Sequence, residues 1–208
     1  MRRIVTFNRV TADGFFSGPH GNLDWAVPEP ALDRSAAESL SGADAMLFGR
    51  RTYELFEGFW PQAIDDQETT PDPHALGRRS AEIHQIGVWI NQAAKLVVSS
   101  TLKNVTWKNS RILPAFDPEE IEDLKRQPGK DIMVFGSGSI VTQLTEHGLV
   151  DEYQFIVNPI LLGSGRPLLS GVPESTALNL LEAASYPSGN VKLRYARRAL
   201  GRRNFSAT

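Results

Sequence analysis

Three short stretches of this chain carry residue types that can hold phosphate. The first, Phe48-Gly49-Arg50-Arg51-Thr52, follows the apolar run 45–48 and opens a segment with helical spacing at 50–55. A glycine at a strand end lets backbone approach a ligand, and the first amides of a helix have no intrahelical acceptor. Two guanidinium groups add charge-assisted donors. The second, Ser99-Ser100-Thr101, follows Leu96-Val97-Val98 and sets three small hydroxyls beside exposed amides. The third, Phe135-Gly136-Ser137-Gly138-Ser139-Ile140, reads as the end of a buried strand, a glycine-rich turn and a helix start, which is the pattern of a pyrophosphate cradle. Each also fits a plain turn: solvated arginines in the first, turn hydroxyls in the second, structural glycines in the third.

The three together are more specific than any one. In open α/β sheets, ligands bind at the carboxyl ends of the strands. A pyrophosphate cradle plus a separate basic, hydroxyl-rich site suits a dinucleotide with one further phosphate. That describes NADPH better than NADH, because a 2′-phosphate needs its own positive partner. The third stretch is not the Gly-x-Gly-x-x-Gly fingerprint, and it lacks the Gly-Lys-Ser/Thr ending of an ATP-type loop.

Other chemistries are excluded by composition. The chain has no cysteine, so disulfides, thiolate nucleophiles and thiolate metal ligands are absent. His20, His74, His84 and His147 have no zinc-ligand spacing, and no metal site is expected. Twenty-two basic against 24 acidic residues leave a net charge of −2, which gives no general attraction to nucleic acid or to an anionic membrane. No run approaches the roughly 18 apolar residues of a membrane span, and Asn8, Arg9 and Asp13 interrupt the N-terminus where a leader would be apolar. The expectation is a cytoplasmic protein that acts on a small molecule.

Positioning these stretches requires strands and helices in alternation, and the hydropathy pattern supplies them. Residues 3–10 read as a strand, followed by a glycine-rich loop from Asp13-Gly14 to Gly21-Asn22. Residues 31–40 have helical spacing with Gly42 as a stop, and 75–86 are helical again. Residues 95–98 read as a strand, Asp117-Pro118-Glu119-Glu120 as a helix start, and 132–135 as a buried strand whose helix ends at Gly148. A strand at 152–157 and a loop at 159–167 precede a hairpin, in which 177–184 and 191–197 flank Pro187-Ser188-Gly189-Asn190. The stretch 61–73, rich in acids, threonines and prolines, reads as a mobile surface loop and a candidate lid. At about 150 residues per domain, 208 residues make one domain, here 1–198, with 199–208 as a flexible tail. The pattern predicts an α/β domain with a largely parallel sheet.

The order of these motifs resembles the dihydrofolate-reductase-like fold. More closely it is similar to the stand-alone reductase (C-terminal) domain of the bifunctional deaminase-reductase of riboflavin biosynthesis. The resemblance runs from about Arg3 to Arg197 and rests on the ordered set: strand, Asp-Gly loop, Gly-Arg-x-Thr, Ser-Ser-Thr and Gly-Ser-Gly-Ser. It implies a three-layer sandwich, with a mostly parallel mixed sheet, helices on both faces and a C-terminal antiparallel hairpin. It also implies NADPH, with Arg50 and Ser100 near the 2′-phosphate and Ser99 and Thr101 beside them. Arg51 and Thr52 would approach the pyrophosphate from the Gly49 turn, and Gly136, Ser137, Gly138, Ser139 and Ile140 would wrap it from the other side. A homodimer is implied as well. The best-named reaction it implies is reduction of 5-amino-6-(5-phosphoribosylamino)uracil. The chain departs from folate reductases at Trp25-Ala26-Val27-Pro28-Glu29-Pro30, where Pro30 occupies the slot of their helical acid.

Hydride transfer to a C=N or C=O bond needs one proton from a positioned group. Asp13 and Asp24 are the candidate acids, with Glu54 nearby; each of the two aspartates also suits a turn. Trp25 and Trp60, with Phe56 and Phe59, could line a planar substrate pocket or simply belong to the core. Gly163 and Gly165, in Leu161-Leu162-Gly163-Ser164-Gly165-Arg166, could face the substrate or form a flexible turn. Two other readings stay open: a non-catalytic NADPH-binding module, and a true dihydrofolate reductase, which the Pro30 departure disfavours.

Overall fold

Backbone hydrogen bonding in the computed structural model, which describes residues 1–62, 64, 81–173 and 175–198, gathers eight strands into one sheet. The elements in chain order are β1 (Ile4–Thr11), β2 (Phe15–Ser17), α1 (Pro30–Leu40), β3 (Ala43–Gly49), α2 (Arg50–Glu57), α3 (Ala81–Gln92), β4 (Ala94–Val98) and β5 (Ser110–Leu113). They continue with α4 (Pro118–Arg126), β6 (Asp131–Phe135), α5 (Gly138–Glu146), β7 (Glu152–Asn158), β8 (Arg166–Pro167), β9 (Leu178–Ser185) and β10 (Val191–Arg197). The sheet order is β5-β4-β3-β6-β1-β7-β10-β9. Strands β5 to β7 in that order are parallel, and β10 and β9 run antiparallel as a hairpin.

The two-residue period of the strands sorts the core into two layers. Ile4, Ala45, Leu47, Leu96, Ile132 and Val134 point to one face, where Ile121 and Leu124 of α4 and Ile140, Val141 and Leu144 of α5 cover them. Val5, Met46, Phe48, Val97 and Met133 point to the other, under Leu40 of α1, Phe56 of α2 and Ile83, Ile86 and Ile90 of α3. This is the three-layer sandwich with helices on both faces.

Local chemistry sets the helix ends. Asp117 caps α4 by accepting from the Glu119 amide, with Pro118 in the first turn. Glu29 caps α1, also ahead of a proline. Gly148, at φ +63°, ends α5, as expected for a left-handed stop.

Four readings from sequence need correction. The Asp13–Asn22 loop is not irregular throughout, because β2 lies within it and pairs with β8, which lies within the expected loop 159–167. Strand β5 was not expected; it is four residues long and gains its identity from pairing beside β4. Gly42 is not the α1 cap: Ser41 closes the helix in right-handed geometry. The helix expected at 75–86 appears as α3, and residues 75–80 lie outside the described residues. The tail at 199–208, His74 and most of the stretch 61–73 also lie outside them. No described helix is long and apolar enough to cross a membrane.

Candidate active site

Because β4, β3 and β6 are neighbours, their carboxyl ends bring Ser99–Thr101, Gly49–Thr52 and Gly136–Ile140 together. Direct hydrogen bonds join them. Ser137 Oγ accepts from the Gly49 amide at 2.9 Å and donates to Thr52 Oγ1 at 2.7 Å. Arg50 Nη1 donates to Thr101 Oγ1 at 2.9 Å, and its Nε donates to Glu54 Oε1 at 2.6 Å. Ser99 Oγ accepts from the amides of Thr101 and Leu102, which folds the second stretch into a tight turn. Helices α2 and α5 both start without a side-chain cap, so their first amides are left for a ligand.

These segments form one wall of a cleft of about 1520 Å³. All twelve expected cofactor residues line it: Gly49, Arg50, Arg51, Thr52, Ser99, Ser100, Thr101, Gly136, Ser137, Gly138, Ser139 and Ile140. Typical small-molecule sites are about 300–1,000 Å³, so there is room for an extended dinucleotide and a second ligand. The backbone fits such a group. Gly136 sits at φ +58°, open to glycine at no steric cost. A Cβ on Gly138 would lie 2.8 Å from the Phe16 ring and 3.2 Å from the Leu168 carbonyl, so glycine lets both approach the start of α5 closely. The donor set of amides, hydroxyls and guanidinium groups is that of a polyphosphate site.

Aromatic side chains also line the cleft. Trp25 and Trp60 both line it, each about 6 % exposed, as does Phe56. Trp25 is fixed by its Nε1–H, which donates to the Asn22 carbonyl at 3.2 Å. Phe59 does not line the cleft; it lies in the same core layer as Phe56 and Trp60 and meets Trp60 edge-on, with centroids 4.9 Å apart.

Of the three acids expected near the site, the structure brings only Glu54 to this cleft. Neither Asp13 nor Asp24 lines it. Asp13 Oδ2 accepts from the Gly163 amide at 2.7 Å and Oδ1 from the Leu162 amide at 3.3 Å, which ties the turn after β1 to the loop before β8. The Thr11 hydroxyl and these amides hold its pKa below the usual carboxylate value. Asp24 is bound by the Asn22 side chain. Gly163 and Gly165 do not line the cleft either. Gly165 is needed because it precedes β8 against β2, where a Cβ would lie 2.4 Å from the Ser17 carbonyl. The carboxylates that do line the cleft among the described residues are Asp33 and Glu54. Asp33, in the first turn of α1, faces Arg9 at 3.8 Å. Sequence reasoning missed the Arg9–Asp33 pair, and no local motif marks it.

The strand order and the two helical layers define a dihydrofolate-reductase-like fold. The chain matches the RibD C-terminal domain family over residues 2–192 and belongs to it. It is 32 % identical over 198 residues to the uncharacterised protein YyaP of Bacillus subtilis, covering 93 % of this chain and 94 % of that one. A putative riboflavin biosynthesis protein from Shewanella sp. PV-4 superposes with a TM-score of 0.70 at 20 % identity, over 96 % of this chain and all of the other. Dihydrofolate reductase from Enterococcus faecalis, complexed with NADP(H) and RAB-propyl, superposes with a TM-score of 0.59 at 11 % identity, over 95 % and 97 % of the two chains.

Proposed function

We propose that this protein is an NADPH-dependent reductase that passes hydride to a C=N or C=O bond of a small ring compound. The observation that carries the reading is the joining of three strand ends, by the Ser137–Gly49, Ser137–Thr52 and Arg50–Thr101 hydrogen bonds, into one anion-binding wall beside an apolar, aromatic-lined space. Family membership supports a reductase, and the Enterococcus neighbour supports the cofactor.

In this reading the first amides of α5 and the Gly136–Gly138 turn hold the pyrophosphate, and Arg51 and Thr52 approach it from α2. Arg50, with Ser100 and Thr101, holds the 2′-phosphate. The bound dinucleotide supplies the hydride from its nicotinamide ring. The chain supplies orientation and excludes water: Trp25, Phe56 and Trp60 present flat faces to a ring, which fixes the reacting bond in the entropy-saving manner of a preformed site. Asp33 is the carboxylate bordering that space.

Energy transfer from Trp25 and Trp60 to NADPH gives a binding titration, and loss of absorbance near 340 nm gives turnover with a panel of ring imines and carbonyls. Expected are micromolar NADPH binding, weaker NADH binding, and oxidation with at least one panel member. Failure to bind NADPH at sub-millimolar concentration would refute the reading. Binding without oxidation across the panel would leave the non-catalytic NADPH-binding module.

A further inference from the structure

The charges lining the cleft do not balance among the described residues. The arginines there are Arg9, Arg50, Arg51 and Arg166, and the carboxylates are Asp33 and Glu54. Arg9 faces Asp33, and Arg50 pairs with Glu54. Arg51 and Arg166 make no side-chain hydrogen bond or ion pair among the described residues.

These two guanidinium groups come from different elements: Arg51 from the first turn of α2, and Arg166 from β8. Ser17 of β2 pairs directly with Arg166, which makes their side chains neighbours. Ser17 is about 4 % exposed, and its hydroxyl has no hydrogen-bond partner among the described residues. A buried hydroxyl in that state costs free energy that a ligand oxygen would restore. Both Ser17 and Arg166 line the cleft.

The β2–β8 ribbon lies against the start of α5, where Gly138 meets the Phe16 ring and the Leu168 carbonyl. Leu168 is two positions beyond Arg166, about 7 Å of extended chain, a length that an arginine side chain spans. Helix α5 starts without a side-chain cap, and its dipole is positive at that end. A guanidinium without a counter-ion beside a positive helix end is unfavourable unless an anion lies between them. Arg51 at the uncapped start of α2 repeats the arrangement. Each phosphate of a dinucleotide's diphosphate bridge carries a negative charge, so the bridge complements both unpaired guanidinium groups.

On the premise that the cleft holds the dinucleotide, we propose that Arg166 and Ser17 form a second grip on its diphosphate, supplied by the β2–β8 ribbon in addition to Arg51 and the two helix starts. This grip is indifferent to the 2′-phosphate, whereas Arg50 discriminates on it.

Calorimetric titration of NADPH, NADH, ADP-ribose and 2′-AMP against the parent, Arg166→Met, Arg166→Lys and Ser17→Ala tests the assignment. Arg166→Met should weaken NADPH, NADH and ADP-ribose alike, by roughly 10- to 150-fold, and leave 2′-AMP, which has no diphosphate, within about threefold. Arg166→Lys keeps the charge without the planar fork and should recover only part of that loss. Ser17→Ala should weaken the same three ligands by about fivefold. Neither Arg166→Met nor Ser17→Ala removes a side-chain hydrogen bond, so both ligand-free variants should melt within about 2 °C of the parent. The proposal is overturned if ADP-ribose binds the parent and Arg166→Met equally, if 2′-AMP weakens as much as ADP-ribose, or if Arg166→Lys and Ser17→Ala both bind NADH as the parent does. A parent that binds no dinucleotide refutes the cofactor reading instead. Thermal stabilisation by millimolar inorganic pyrophosphate then decides the anion site, and equal stabilisation of the parent and Arg166→Met overturns it.

Discussion

Replacing Arg50 by Met separates what this side chain does for the fold from what it does for a ligand. The side chain is about half exposed, and its contacts are an i,i+4 pair with Glu54 and a hydrogen bond to Thr101. An exposed pair of that kind is worth about 0.3–0.5 kcal/mol. For a domain of this size about 1 kcal/mol moves Tm by roughly 2–4 °C, so R50M should melt within about 2 °C of the parent. A hydrogen bond from a guanidinium to a phosphate is worth about 1.5–3 kcal/mol, or roughly 10- to 150-fold in affinity. NADPH should therefore weaken by that factor in R50M. NADH, which has no 2′-phosphate, should change by less than about threefold, so that the preference between the two collapses. Calorimetric titration of both cofactors against both proteins, with melting curves alongside, measures each quantity. Equal weakening of NADPH and NADH would remove Arg50 from the 2′-phosphate. An unchanged NADPH affinity would refute the argument that the α2 start belongs to the cofactor wall.

Two further outcomes follow from buried polar groups. Ser137→Ala leaves the Gly49 amide without its acceptor and cuts the bond to Thr52, which should cost about 1–3 kcal/mol and weaken NADPH as the two helix starts separate; thermal melts and the same titration check both. Lys95 is fully buried in β4, with its ammonium donating to the carbonyls of Asn91, Ala93 and Lys108, 4.5 Å from the centre of the Trp107 ring. Burial pushes its pKa down to about 8 from 10.5. Between those values the unfolded chain binds the extra proton, so stability should rise with pH, by about 2 kcal/mol from pH 7.5 to 9.5. Lys95→Met should lack that rise in urea melts at the two pH values, and an equal rise in both proteins would refute the assignment.

The meeting of the three strand ends was legible in the sequence because each part is local. Gly49-Arg50, Ser99-Ser100-Thr101 and Gly136-Ser137-Gly138 each sit where an apolar run stops, and adjacent parallel strands then bring them together. Long strands and well-capped helices were legible for the same reason, as at Asp117-Pro118. Strands β2, β5 and β8 were not, since two to four residues become strand only through a partner elsewhere in the chain. Leu32, Ala36 and Leu40, or Ile83, Ile86 and Ile90, have the spacing of ordinary core faces, and nothing in that spacing marks that they also border the cleft. Asp13 and Gly163 were both singled out as near the substrate, but lie 150 positions apart in sequence, and their mutual hydrogen bond gives them a different, structural task.

The place of β1 between β6 and β7 has a consequence for biosynthesis. Ile4 pairs across to Ile132, and Val5 to Glu152, so β1 has neither neighbour until well over a hundred further residues have been made. At about 5–20 residues per second that interval is on the order of 10 s. Throughout it, a β-prone apolar segment stands with both edges unpaired, the kind of edge that can pair with another chain before the native sheet forms.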